Sequence, residues 1–408
     1  MRELGGAVLV FLSSVSSVPP WCNPGRADEW PQFRGPNSAQ TAAVDLPEKF
    51  GPDENVRWKV DLPGRGLSAP AVTGNTIFLT ANSGMRQTRL HVLAFAADTG
   101  RKLWERQFWA TGQTLCHPQT CMAAPTPVTD GNFVYALFGT CDLVCLDLDG
   151  NVVWLRSLSG DYPAMVNHVG RAASPVLADG VLIVPEENQG ASYILGIDPK
   201  TGRNLWKAER ALDNCYTTPV VTHRWGHTEV IVQSPNGLTA LDPATGKTLW
   251  NHEAEGLSEI PSPVAAGDLV LGMQRRGMIA LRPTAGGPPA VAWQTAKLSS
   301  FAPSAIVADG KIYVIKGEIL TCGDLADGKV LWDVRLKGFF WASPILAGGK
   351  LYIFGEGGVA TVVRVGAKGE FVATNDMKEK VYATPAIAHG AMYLRTDQHL
   401  YCIAKPAA

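Results

Sequence analysis

The chain has 408 residues, 46% of them hydrophobic and 18% charged, which is ample length and apolar content for an extensive core. Its formal net charge of −1 provides no electrostatic footprint for a polyanion, so nucleic acid is excluded as an expected partner. The 42 glycines and 28 prolines describe a chain of many turns, not of long helices.

In chain order, the first feature is Arg2 followed by the apolar run LGGAVLVFLSSVSSV and small residues up to Ala27. That order predicts a secretory signal over residues 1–27, and the run is shorter than the roughly 20 residues a bilayer span needs. Removing Arg2, Glu3 and Arg26 leaves 34 basic against 36 acidic residues, a mature charge of −2. The expected location is therefore outside the cytoplasm, periplasmic or envelope-associated, with no transmembrane helix left after the signal is cut. Residues 28–55, beginning DEWPQFRGPN, read as an extended leader. NVRWKVDL (55–62) then reads as a strand with no partner strands before it.

From Ser68 onward a unit recurs. Eight openings carry a small residue, a proline and an apolar pair, as in SAPAVTGNTIFLT from Ser68, ASPVLADGVLIV from Ala173 and ASPILAGGKLYIF from Ala342. Each unit reads as four short antiparallel strands, closing with a D-x-x-T-G turn and an L-W pair. Repetition settles the reading of LDPATGKTLW (241–250), whose TGKT imitates the end of a phosphate-binding loop. The first glycine of such a loop would fall at Leu241, so the stretch is instead a hairpin turn with Lys247 in solvent. Trp58, Trp104, Trp154, Trp206, Trp250, Trp293 and Trp332 close successive units, with Phe371 expected in the same role. Opposite them a small-residue position holds Ala96, Cys145, Gly196, Ala240, Ala280, Cys322, Val362 and Cys402, which makes three cysteines packing residues. The last unit, from Ala383, lacks a fourth strand, and residues 55–62 supply one. The fold class expected is all-β: an eight-bladed β-propeller over 56–405, its last blade closed by an N-terminal strand so that no sheet edge is left open at the seam.

The S-P-x-V openings, the D-x-x-T-G-x-x-L-W closes and the eightfold count resemble the PQQ-like (quinoprotein) propeller repeats, over nearly the whole mature chain. The DEWPQFRGPN leader is similar to that of BamB-like exported bacterial propellers. The resemblance implies one of two functions. The first is a non-catalytic scaffold binding protein or peptide partners, in cell-envelope assembly and as a monomer, with no cofactor. The alternative is a PQQ-dependent alcohol or sugar dehydrogenase, which would need PQQ and calcium. The chain has no adjacent cysteine pair and no C-x-x-C-H, and no catalytic residue of the dehydrogenases carries over.

In a four-stranded blade the connections into each first strand, and the turns between second and third strands, emerge on one face. The ligand-binding residues expected there are His168, Arg171, Glu187, Asn188, Tyr216, Gln274, Arg275, Phe301, Trp341, Glu356, Tyr382 and Arg395. Glu187 and Asn188 are the calcium candidates under the dehydrogenase alternative. Cys116, Cys121 and Cys141 fall on the same face; export makes a disulfide their expected fate, Cys116 with Cys121 first and Cys141 competing. A zinc site from Cys116, His117, Cys121 and Cys141 has no recognised ligand spacing, and no metal is assigned.

Overall fold

The computed structural model describes residues 29–36, 40–41, 44–165 and 170–406; the expected signal segment lies outside these residues. Among them, eight sheets, each built on four antiparallel strands, stand around a central axis. Blade 4 is representative, with strands Val220–Arg224, His227–Ser234, Gly237–Leu241 and Thr248–Glu253 running from the axis outward. The middle strands are continuous buried runs because each is covered by a blade on either side, whereas the outermost strands alternate.

The ring closes as the repeat count requires. Val56–Asp61 pairs antiparallel with His399–Ile403, with Trp58 opposite Cys402 and Val60 opposite Leu400. Blade 8 therefore takes three strands from the C-terminal part of the chain and its outer strand from residues 56–61.

Six of the seven closing tryptophans lie over the turn of the next blade. The indole N–H of Trp104 donates to Leu148 O at 2.7 Å, that of Trp154 to Pro199 O at 2.9 Å and that of Trp206 to Pro243 O at 2.8 Å. Gly246 shows why the turn is T-G: its φ is +70°, and a Cβ there would lie 2.4 Å from the Trp206 ring. The glycine of TGKT is thus a landing place for an aromatic ring, and Lys247 is exposed as expected. Trp250 departs from the pattern and donates to Glu229 Oε1 at 3.3 Å, because the corresponding connection of blade 5, Thr284–Gly287, carries no D-x-x-T-G.

Two register assignments need correction. The residue opposite Trp104 is Ala94, not Ala96; the carbonyl of Ala96 accepts the Gly100 N–H, the place that Asp242 takes in blade 4. In blade 7 Val362 faces Ala373, while Phe371 faces Val363 and is 60% exposed, so it does not dock between blades. The remaining small positions do face their tryptophans, and Cys145, Cys322 and Cys402 are buried there.

The leader is built into the fold. Trp30 is fully buried and exchanges two backbone hydrogen bonds with Val72 of blade 1, and Pro31 O accepts from Thr129 of blade 2. The next residues, Gln32 to Pro36, lie against Thr218–Val221 of blade 4, and the Arg34 guanidinium donates to Ala305 O of blade 6. The chain thus crosses the axis. Gln40–Thr41 then adds parallel to the inner strand of blade 7, making that sheet five-stranded.

Candidate functional site

The openings of the repeats converge on the axis in two tiers. The lower tier is the hydroxyl of the S/T-P element. Backbone N–H groups donate around the ring: Ala69 to Thr126 Oγ1 at 2.9 Å, Thr126 to Ser174 Oγ at 3.0 Å, Ser174 to Thr218 Oγ1 at 3.0 Å and Thr218 to Ser262 Oγ at 3.0 Å. The belt continues from Ser262 to Ser304, Ser304 to Ser343 and Ser343 to Thr384 at 2.9–3.0 Å. A strand edge facing the axis would otherwise bury unpaired donors, so the recurring hydroxyl satisfies one in each of blades 1 to 7. The belt is interrupted where Ala69 has no hydroxyl. At that seam the fully buried Arg395 donates to Ser68 Oγ at 2.8 Å and to Thr80 O, joining blade 8 to blade 1.

The upper tier lies two residues before each hydroxyl. It is small at Ala124, Ala172 and Ala302 and large at Tyr216, Trp341 and Tyr382. This asymmetry leaves a cavity of about 240 Å³, with His117, Gln119 and Thr120 on its rim and Phe33 of the leader at its floor. The channel is therefore a funnel stopped at one end by the leader.

Glu356 organises the aromatic side. Its carboxylate accepts the Trp341 indole N–H at 3.0 Å and the Tyr382 hydroxyl at 2.9 Å, which fixes both rings. Burial, then the hydrogen bond to Glu356, pushes the Tyr382 phenol up to about 12, so it remains a neutral donor. Phe301, 54% exposed, packs edge-on to Trp341 at 5.8 Å and to Phe339 at 5.9 Å, extending the aromatic surface outward over the rim.

Of the residues expected on this face, Tyr216, Trp341 and Tyr382 line the cavity, Glu356 supports it and Phe301 lies at its edge. Four others are turned into the protein. Arg171 is paired with buried Glu186 at 2.8 Å; Glu187 takes Arg210 at 2.5 Å and the Ser234 hydroxyl; Asn188 is buried and holds its own turn through Glu186 O and Ala191 O; Arg395 is at the seam. A lone charge inside a β-structure must be paired, and here Arg171 and Glu187 take Glu186 and Arg210 from blade 3 itself, with the Ser234 hydroxyl added from blade 4. Gln274 and Arg275 lie away from the cavity, accepting from Gln294 at 2.9 Å and facing Glu259 at 3.3 Å respectively. His168 lies outside the described residues. Gln119, Thr120 and Phe33 were not legible as site residues, although the step of two residues upstream of S/T-P would have found Leu67 and Ile260.

Cys116, Cys121 and Cys141 are free thiols here. Cys121 is packed in the core between blades 1 and 2 with Cys116 against it, whereas Cys141 belongs to the core between blades 2 and 3, its Sγ 4.0 Å from Glu186 Oε2. Among the described residues there is no group of three or more His, Cys, Asp and Glu placed to hold a metal. The funnel also does not fit PQQ: that quinone carries three carboxylates, and among the described residues no Arg or Lys side chain lines the cavity. Glu187 and Asn188, the calcium candidates, already spend their oxygens and nitrogens on Arg210, Ser234 and backbone carbonyls. No reaction step is derived through that cofactor.

Eight blades, seven of them closed by a tryptophan, with a stopped funnel at the axis, define a PQQ-like propeller. The chain belongs to the family described as outer membrane protein assembly factor BamB, whose model matches residues 51–171, 91–334 and 290–368. BamB of Moranella endobia (strain PCIT) is 23% identical over 175 residues, 41% of this chain and 40% of that protein's length. The crystal structure of BamB from Moraxella catarrhalis superposes with a TM-score of 0.65 at 14% identity, covering 86% of this chain and 98% of that one. A europium-containing methanol dehydrogenase gives a TM-score of 0.70 at 10% identity, covering 94% and 99%. At these identities both structures speak to the fold alone.

Proposed function

We propose that the chain is an exported scaffold whose funnel mouth binds protein or peptide partners, without catalysing a reaction, and that its setting is cell-envelope assembly. The observation that carries this reading is the mouth itself: a cavity lined, among the described residues, by no Arg, Lys, Asp or Glu, with fixed Trp341 and Tyr382 rings beside exposed Phe301 and Phe339. Rigid aromatics supply contact area at low entropic cost, which suits docking of side chains from a partner. Family membership supports the envelope setting, since the matching model and relative carry the name of an outer membrane assembly factor.

The test pairs capture with titration. Partners recovered from envelope extracts should be lost on replacing Trp341 and Tyr382 by Ala and kept on replacing exposed Trp109, which lies at the end of the outer strand of blade 1. Recovery unaffected by the first pair would overturn the choice of face. PQQ with calcium at micromolar concentration should change neither the absorbance spectrum nor the melting temperature; a saturable change in both would favour the oxidoreductase alternative.

A further inference from the structure

The rim of the funnel contains the segment CHPQTC, Cys116 to Cys121. Its centre is a β-turn: the Thr120 N–H donates to His117 O at 2.9 Å. Cys116 and Cys121 directly flank this turn, whose ends approach within about 7 Å of each other, and a disulfide accepts a Cα separation of about 4.4–6.8 Å. Side-chain placement agrees. The Cys116 thiol is directed at Thr120 O, 3.8 Å away, the carbonyl bonded to the nitrogen of Cys121. Both cysteines pack in the core between blades 1 and 2, and Cys141 does not. The four residues between them supply His117, Gln119 and Thr120 to the cavity.

We propose that Cys116 and Cys121 join in a disulfide under oxidising conditions, and that the bond sets how rigidly this segment walls the funnel. Cys116 is partly exposed and Cys121 is buried, which assigns the order of events. The Cys116 thiolate attacks an external disulfide, forming a mixed disulfide and releasing one thiol. The Cys121 sulfur then attacks Cys116 Sγ, closing the ring and releasing the second thiol, so two protein thiols are oxidised as one external disulfide is reduced. Burial holds the Cys121 thiol up at about 11, which disfavours Cys121 as the thiol that opens the exchange.

Oxidised glutathione added to the reduced full-length chain provides the test, followed by unfolding, alkylation and fragment-ion mapping. Mapping by fragment ions is needed because Cys116, Cys121, Cys141 and Cys145 share one tryptic peptide, with no Lys or Arg between Gln107 and Arg156. The expected product is about 2 Da lighter, with Cys116 and Cys121 protected and Cys141 and Cys145 alkylated. Amide exchange of Thr120 should slow by about tenfold or more on oxidation, through the lost freedom of the closed loop. Cys141→Ala should still form the bond and Cys116→Ala should not. Four alkylated thiols, a Cys116–Cys141 link, or glutathione that persists on Cys116 would each overturn the pairing. Unchanged Thr120 exchange in the oxidised chain would overturn the role in the wall.

Discussion

Gly246→Ala tests what holds adjacent blades together. The substitution forces a side chain into a φ of +70° and places a Cβ 2.4 Å from Cε3 of Trp206. The left-handed backbone costs about 1 kcal/mol for a non-glycine residue, and forcing an extra methyl into a packed contact costs about 1–3 kcal/mol. The sum is about 3 kcal/mol. Gly226→Ala is the internal control, since its φ is +81° but nothing lies within 4 Å of the new Cβ, leaving only the backbone cost of about 1 kcal/mol. At about 2 cal/mol/K per residue, a chain of this size loses roughly 1 °C of Tm per kcal/mol, so the expected losses are about 3 °C and about 1 °C. In a Trp206→Ala background the two alanines should become equivalent, a coupling of about 2 kcal/mol. Calorimetry on the four variants decides the matter. Equal losses for Gly246→Ala and Gly226→Ala with Trp206 present would refute the claim that the T-G turn exists to receive the ring.

Deleting residues 55–62 removes the outer strand of blade 8 and bares His399–Ile403 as an edge, so sedimentation should show self-association and unfolding should lose cooperativity. Ser304→Ala takes away the acceptor of the buried Ser262 N–H, and urea unfolding should register about 1–3 kcal/mol less stability. At Glu105 burial opposes ionisation, but hydrogen bonds from Lys102, His91 and Gln107 outweigh it and hold the carboxyl at about 2 instead of 4.5. A depressed acid stabilises the fold above its unfolded value and ceases to do so as it protonates, so this contribution should fade between pH 4.5 and pH 2. Glu105→Gln should flatten the fall of Tm over that window; an unaltered slope would mean the His91 bridge between Ser83 and Glu105 carries no linkage.

Fold class, blade number and the closing strand were legible in the sequence because each rests on a local, repeated pattern. Alternation specifies strands, T-G specifies hairpins, and a final unit lacking its outer strand can be completed only by an unpartnered strand elsewhere. The two register slips have the same origin: Asp98 sits two residues later in its turn than Asp242 does, and Phe371 was read by analogy with tryptophans whose facing position it does not share. The site was legible only in part. Tyr216, Trp341 and Tyr382 keep a constant offset from the S/T-P element, and that offset fixes distance from the axis whatever the side chain. Arg171, Glu187 and Arg395 sit in equally suggestive places, but their direction depends on carboxylates and hydroxyls contributed by other strands and blades.

Sequence by itself determined a ring of eight blades, since every unit repeats the same short-range instructions and those act within some 40 residues. Tertiary structure alone decided that the leader crosses the axis and stops the funnel, that charged residues at the rim are spent on pairs between elements, and that Cys116 and Cys121 share a turn while Cys141 faces another core. Those outcomes follow from which side chains meet when strands, connections and blades pack together, and the hydrophobic and turn periodicity of the repeat does not encode such meetings.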